Sequence, residues 1–215
     1  LGLILGLWEQ THPEVQGVLG IAELGCGIAR YGQRKVVEIE DTKPKCDAWP
    51  TTWSEQLATS KPDVALVFSQ WELFDRKLPG DGEWRHVGDP VLDDYFTKEF
   101  LAATDLLSAN GALVMWVTEP YFGSAIDDQL RPDQKRAHEP ARVDALNAII
   151  RDVVAQRPEH AVLVDLATWM GSRTEDLSLR KDGEHFNFDA NDRVATDFLG
   201  PTIVRKWKEW WRANH

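Results

Sequence analysis

The chain has 215 residues, the length of one large domain rather than two. It carries 24 Lys and Arg against 35 Asp and Glu, and this net charge of −11 argues against nucleic-acid binding, because phosphates would be repelled. Hydrophobic residues make up 43%, as in ordinary folded domains, and no apolar run approaches the ~20 residues that span a bilayer.

The first half of the chain predicts two helices and three strands. Apolar residues at the start indicate a helix that is already under way, and β-branched or continuous apolar runs favour strands. A proline just inside its first turn marks the second helix. In chain order the elements are helix Leu1–Gln10, strand Val15–Glu23, strand Val36–Ile39, helix Trp49–Thr59 and strand Pro62–Phe68.

The second half alternates strands with helices whose apolar residues recur at helical spacing. The predicted elements are helix Leu92–Ser108, strand Ala112–Thr118, helix Pro140–Ala155, strand Ala161–Leu166 and a closing helix over 189–212. Strands that alternate with helices indicate a parallel sheet covered on both faces, and therefore an α/β domain. Sites in such sheets lie in the loops after the strands, here 24–34, 69–90, 118–138 and 166–188.

The last loop holds the clearest chemical pattern. Asp182 precedes His185 by three residues, and Gly183 allows a tight turn between them. A carboxylate on Nδ1 would fix the imidazole tautomer and leave Nε2 free as a base toward a nucleophile. The same acid–histidine spacing occurs at Glu9 and Glu83, so the position of Asp182 in the last strand-to-helix loop is what favours a catalytic role.

The first loop permits two functional interpretations and a plain tight turn. The run Glu23–Gly27 after a strand is similar to the glycine motif of adenosylmethionine-dependent methyltransferases, with Glu38 or Glu40 as the ribose-binding acid. Too few residues lie between Gly27 and the predicted strand at Val36 to form a crossover helix, and Ala29 stands where the third glycine of that motif belongs. Alternatively, a backbone N–H of this loop, at Gly25 or Gly27, donates to an oxyanion.

The two middle loops offer further pocket residues. Trp71 can donate its indole N–H. Glu72, Asp75 or Arg76 can shape a pocket, with Asp75 and Arg76 as solvated loop charges in the alternative. Tyr121, with the phenylalanine after it, is a candidate pocket wall or ordinary loop packing. The spacing of Cys and His suggests no zinc site, and no cofactor is expected.

Composition alone does not decide the state of the cysteines or the role of the tryptophans. The two cysteines, Cys26 and Cys46, could form a disulfide or remain buried thiols. The 10 Trp residues, spread along the chain, favour core and loop packing over platforms for sugar rings.

Together these pieces resemble the SGNH (GDSL-type) hydrolase superfamily, and most closely the extracytoplasmic SGNH domains of bacterial acyltransferase-three membrane proteins. The resemblance covers nearly the whole chain, and its motifs are short but keep their order and spacing. They are Glu23–Arg30, Cys46–Pro50 with Trp53, Pro62-Asp63, Trp71-Glu72, Asp75-Arg76, Trp84 with Gly88–Pro90, Gly111-Ala112, Pro120-Tyr121, Arg142–Asn147, Val164–Leu166 and Asp182–Phe186.

The resemblance implies one three-layer α/β/α domain over residues 1–215 with a flavodoxin-like parallel sheet. It implies a serine-centred acyl-transfer or ester-hydrolysis site with His185 as base, Asp182 orienting it and Gly25 as oxyanion donor. Trp71 stands where the wider family has an Asn donor. The oxidising compartment that the resemblance implies predicts a disulfide between Cys26 and Cys46.

One departure concerns the nucleophile. The Gly-Asp-Ser block of the family is absent, and Leu1–Gln10 looks like the helix that follows it, so we expect the parent protein to continue upstream. The implied function is acyl transfer to, or ester hydrolysis from, a cell-envelope glycan or glycolipid, with an upstream membrane acyltransferase domain as tether. The alternatives are a methyltransferase and a catalytically silent glycan-binding module.

Overall fold

A computed structural model describes residues 2–125 and 127–215, which form a mixed α/β structure. Leu1 of the predicted first helix and Ile126 of the predicted third loop lie outside the described residues. The α-helices are α1 Gly2–Glu9, α2 Pro44–Asp47, α3 Trp49–Ser60, α4 Pro90–Ser108, α5 Pro132–Ala137, α6 Pro140–Gln156, α7 Leu166–Met170, α8 Phe188–Val194 and α9 Gly200–Asn214.

Three strands form a parallel sheet. The strands of the whole structure are β1 Gln33–Lys35, β2 Ile39–Asp41, β3 Val64–Val67, β4 Arg76–Lys77, β5 Leu113–Val117 and β6 Ala161–Val164. The parallel sheet has the order β3–β5–β6, and Trp116 is in register with Val67 on one side and Leu163 on the other. All five residues of β5 are buried, which explains its uninterrupted apolar sequence.

Helices pack on both faces of this sheet. Alternate residues of β5 point to opposite faces, and they belong to two different hydrophobic cores. Val114 and Trp116 lie in a core with α3, α4 and α6. Leu113, Met115 and Val117 lie in a second core with residues of α1, α8 and α9.

Both crossover helices have a proline in their first turn. The side chain of Asp89 accepts the backbone N–H of Val91 at 2.9 Å, and Pro90 occupies the first turn of α4. Pro140 has the same place in α6. Because α4 leads from β3 to β5 and α6 from β5 to β6, the loops after these strands all open at one edge of the sheet.

A small antiparallel sheet lies beside the first of these loops. Its order is β2–β1–β4, with Arg34 in register with Glu40 on one side and Arg76 on the other. Since β4 follows the loop after β3, this sheet connects that loop to the segment 24–32.

Two strand predictions were wrong. No strand forms over Val15–Glu23 within the described residues, and Leu19 there is 63% exposed. An apolar run becomes a strand only where a neighbour pairs with its backbone, and neither sheet pairs with this segment. The predicted strand Val36–Ile39 covers a bend, since Val36 N–H bonds to Glu38 O at 3.3 Å and the strands lie on either side.

The later loops contain more helix than expected. The predicted loop 119–138 includes α5, and α7 begins directly after β6, with Asp165 accepting Thr168 N–H at 3.2 Å as its cap. The closing helix is divided, because a π-helical turn at Ala195–Leu199 joins α8 to α9. Within residues 2–125 and 127–215, no helix combines the length and the hydropathy of a membrane span.

Candidate functional site

Asp182 and His185 are joined by two hydrogen bonds, and a third bond ties Asp182 to Glu184 in the same turn. Asp182 Oδ2 lies 2.8 Å from His185 Nδ1, and Asp182 Oδ1 accepts the backbone N–H groups of His185 at 2.7 Å and Glu184 at 3.0 Å. Partial burial would raise the pKa of the Asp182 carboxyl, but its bonds from His185 outweigh burial and lower it. The imidazole is 71% exposed, so Nε2 is accessible to a reacting group.

Glu184, between these two residues, connects their loop to two others. Its Oε1 accepts Gln70 Nε2 at 2.9 Å, and its Oε2 lies 3.6 Å from His138 Nε2. Glu184 Oε1 also lies 3.9 Å from His185 Nε2. The His138 ring stacks on Phe122, with 3.9 Å between ring centroids.

The third loop contacts the last loop through its backbone. Gly123 N–H donates to Gly183 O at 2.7 Å, and the carbonyl of Tyr121 accepts a hydrogen bond from Nη1 of Arg180 at 2.7 Å. The Tyr121 hydroxyl donates to Asp144 of α6 at 2.5 Å, and the side chain is 41% exposed. The hydroxyl of Tyr121 is therefore held by α6. The next side chain, Phe122, stacks on His138, which in turn lies beside Glu184.

Glu119, near the start of this loop, has a buried carboxyl group. Glu119 is 2% exposed and its backbone is fixed by Asn147, which accepts its N–H and donates to its carbonyl, both at 2.8 Å. Burial raises the pKa of Glu119 to about 8, despite the opposing effect of the positive charge of Arg180. Burial also lowers the pKa of Arg180. Glu119 is therefore mostly protonated at neutral pH.

Glu72 supports the first loop from inside the protein. It is fully buried, and its Oε1 accepts the backbone N–H groups of Ile28 at 2.7 Å and Ala29 at 2.9 Å. Its Oε2 accepts the hydroxyl of Ser69. Both oxygens are thus used within the fold, so Glu72 shapes the loop and has no direct access to a ligand.

Arg76 has a similar supporting role. Only 1% of it is exposed, and its guanidinium donates to the carbonyl groups of Ala29, Arg30 and Tyr31 at 2.5 to 3.1 Å. Burial lowers the pKa of Arg76, although the nearby charge of Glu72 opposes this.

The first loop and Trp71 present unused N–H groups. In the described part of the chain, the backbone N–H groups of Gly25 and Gly27 and the indole N–H of Trp71 have no hydrogen-bond acceptor. Arg34 contacts both Gly25 and Trp71, because its Nη2 donates to Gly25 O at 2.9 Å and its guanidinium lies 4.9 Å from the Trp71 ring centroid. This arrangement can offer donors to a developing negative charge.

The predicted disulfide between Cys26 and Cys46 is confirmed. The two Cα atoms are 5.1 Å apart, and the bond closes a loop of sequence separation 20. It ties the first loop to α2. A structural disulfide indicates an oxidising, extracytoplasmic compartment.

Two serines of the site loops have partners other than His185. Ser69 donates to Glu72, and the Ser124 hydroxyl donates to Glu175 at 3.0 Å. Among residues 2–125 and 127–215, no serine hydroxyl bonds to His185. The same residues contain no group of three or more His, Cys, Asp or Glu side chains that could hold a metal ion.

The glycine loop differs from a nucleotide-binding turn. No helix begins after Gly27 in the described structure until α2, and β1 follows instead. A nucleotide-binding glycine turn places its ligand at a helix N-terminus. Glu40, one of the two predicted ribose ligands, pairs with Arg34 at 2.9 Å, and Glu38 is exposed.

Sequence reasoning missed Gln70, His138, Glu184 and Arg34. Gln70 and Glu184 both lie in loops that the sequence predicts to form the site, so their place in the chain could have identified them. Their hydrogen bond to each other could not be predicted, because it joins distant segments. His138 was a single histidine at a loop end. Nothing in the sequence pattern singled out Arg34, because its role depends on the small antiparallel sheet.

Compared with known proteins, the chain matches no protein-family model and no curated protein.

Proposed function

We propose that the protein is an extracytoplasmic acyltransferase or acylesterase domain of SGNH type, acting on acyl groups such as acetyl of a cell-envelope glycan or glycolipid. The observation that carries the proposal is the Asp182–His185 pair, with 2.8 Å between Oδ2 and Nδ1 and an accessible Nε2. The position of the pair after the last strand, at the edge where the other site loops open, supports the same assignment. In this proposal the parallel sheet is part of a flavodoxin-like, three-layer domain.

The mechanism uses a covalent acyl-serine. His185 Nε2 takes the proton of a serine hydroxyl while the serine oxygen attacks the ester carbonyl, and Asp182 stabilises the imidazolium that forms. The proton then passes to the departing alcohol oxygen. In the second half, a glycan hydroxyl or water loses its proton to His185 and displaces the serine, which regains the proton.

The negative oxygen of each tetrahedral intermediate needs donors. Gly25 N–H and the Trp71 indole N–H are the proposed ones, since both are unused and Arg34 contacts both residues. The proposed nucleophile is the serine of a Gly-Asp-Ser block, a motif that these 215 residues do not contain. A membrane acyltransferase domain in the natural gene product is the proposed tether and source of acyl groups.

Ester hydrolysis by the natural gene product, including whatever precedes Leu1, tests the proposal. With p-nitrophenyl acetate, His185→Ala is expected to lose about 1,000-fold or more in kcat, and Asp182→Asn at least about 100-fold. His160→Ala is the matched control, because this exposed histidine lies at the opposite, amino end of β6.

A serine-reactive fluorophosphonate supplies a second measurement. Covalent labelling of the wild type is expected. Equal hydrolysis by wild type and His185→Ala would overturn the proposal, and so would saccharide binding without any labelling, which would instead favour a glycan-binding module.

A further inference from the structure

His185 lies between two carboxylates, one near each ring nitrogen. Asp182 Oδ2 is 2.8 Å from Nδ1, and Glu184 Oε1 is 3.9 Å from Nε2. The longer distance exceeds a hydrogen bond, but a charge at this separation still acts on an imidazolium. The mechanism proposed above uses Asp182 and leaves Glu184 without a role.

The Glu184 carboxylate is held by groups outside its own loop. Gln70, which follows β3, donates to Oε1 at 2.9 Å, and His138, which follows α5, lies 3.6 Å from Oε2. The side chain of Glu184 is only 19% exposed, and the stacked Phe122 fixes the ring of His138. Three segments of the chain therefore keep this carboxylate next to Nε2.

Glu184 is negatively charged at neutral pH. Burial would raise the pKa of its carboxyl, but the hydrogen bond with His138 and the charges of His185 and His138 outweigh burial and lower it. The other titratable and charged groups of this region are Asp182 on the same turn and, deeper in the protein, Arg180 and the mostly protonated carboxyl of Glu119. Among the described residues, only Asp182 and Glu184 place carboxylate oxygens within 4 Å of the His185 ring nitrogens.

We propose that Glu184 is a positioning residue for His185, whose charge stabilises the protonated imidazole from the Nε2 side. The inference rests on the proposed function, because it gives a role to this charge in acyl transfer. When Nε2 takes the proton of the nucleophile hydroxyl, the imidazolium forms between two carboxylates, and it returns the same proton to the departing oxygen.

Glu184→Gln tests the inference, because the amide keeps the size of the side chain and can still accept the Gln70 bond. In an NMR titration of the 215-residue chain, the midpoint of the His185 imidazole is expected to fall by about 0.5 to 1 pH unit, as for a unit charge about 4 Å away in mostly aqueous surroundings. Glu184→Asp, which keeps the charge, is expected to recover part of this fall. Glu175→Gln, an exposed glutamate bonded to Ser124, is the control and should leave the midpoint unchanged.

In the natural gene product, the acid limb of the kcat/KM profile for p-nitrophenyl acetate is expected to move to lower pH by the same amount. A loss of packing alone would lower the rate without moving this limb. An unchanged His185 midpoint in Glu184→Gln would overturn the inference, whatever the rate. A shifted midpoint in a protein that hydrolyses no ester would uphold the coupling between the two residues and refute the acyl-transfer role.

Discussion

The carboxylate of Glu72 accepts the backbone N–H of Ile28 at 2.7 Å, although 44 residues separate them in sequence. The same oxygen accepts Ala29 N–H at 2.9 Å. The loop that carries Gly25 and Gly27 therefore takes its shape from a buried side chain of another loop. A part of the candidate oxyanion site thus depends on a residue that has no access to substrate.

Removal of this carboxylate is expected to destabilise the protein. In Glu72→Ala, two buried N–H groups and the Ser69 hydroxyl lose their acceptor, which should lower the free energy of unfolding by about 3 kcal/mol or more. Urea unfolding followed by Trp fluorescence measures the change. Glu38→Ala, at an exposed glutamate, should change it by less than about 0.5 kcal/mol. Equal effects of the two substitutions would contradict this role of Glu72.

The buried Glu119 predicts a pH dependence of stability. Its pKa is about 8 in the folded protein, against an ordinary value of 4.5, so the folded state holds a proton that the unfolded chain releases between these values. The free energy of unfolding should therefore fall as pH rises through this window, by about 1.4 kcal/mol per pH unit from this group, and the contribution should become constant above pH 8.

Glu119→Gln removes this contribution. Its stability relative to the wild type should therefore increase between pH 5 and pH 8 in urea unfolding experiments. Glu159→Gln, at an exposed position, should follow the wild type at every pH. A constant difference between Glu119→Gln and wild type over this range would show that the carboxyl is ionised in the folded protein.

The turn between Asp182 and His185 requires glycine at position 183. Gly183 has φ +73°, and a Cβ there would meet the carbonyl oxygen of Gly123. Gly183→Ala is expected to lower the free energy of unfolding by about 1 to 3 kcal/mol and to reduce ester hydrolysis by the natural gene product, because the turn positions His185. Gly82→Ala is the control, since a Cβ at Gly82 meets no atom within 4 Å and its φ is not positive.

Loss of the disulfide is expected to cost stability through the unfolded state. The bond between Cys26 and Cys46 closes a loop of sequence separation 20. The free energy of unfolding of a Cys26→Ser, Cys46→Ser double variant should therefore be about 3 kcal/mol lower than that of the wild type. Reductant should destabilise the wild type and leave the double variant unchanged. Two free thiols in the denatured, unreduced wild type would refute the bond.

Local patterns predicted the parts of the fold that depend on local interactions. The helix over Leu92–Ser108 agrees with its helical apolar spacing, and the strand Leu113–Val117 agrees with its continuous apolar run. The strand predicted at Val15–Glu23 was wrong, because strand formation also needs a pairing partner that a sequence window does not contain. Within the site, the Asp182–His185 spacing is local, whereas the Gln70–Glu184 bond joins distant segments and leaves no pattern.

Gln70 and Glu184 are 114 residues apart in sequence, so the ribosome adds Gln70 well before Glu184. At typical rates of protein synthesis, roughly ten seconds separate the appearance of the two residues. During that interval the nascent chain can form β3 and its local contacts, but Gln70 does not yet have the Glu184 carboxylate to bind. The site therefore completes only after nearly the whole chain has been made.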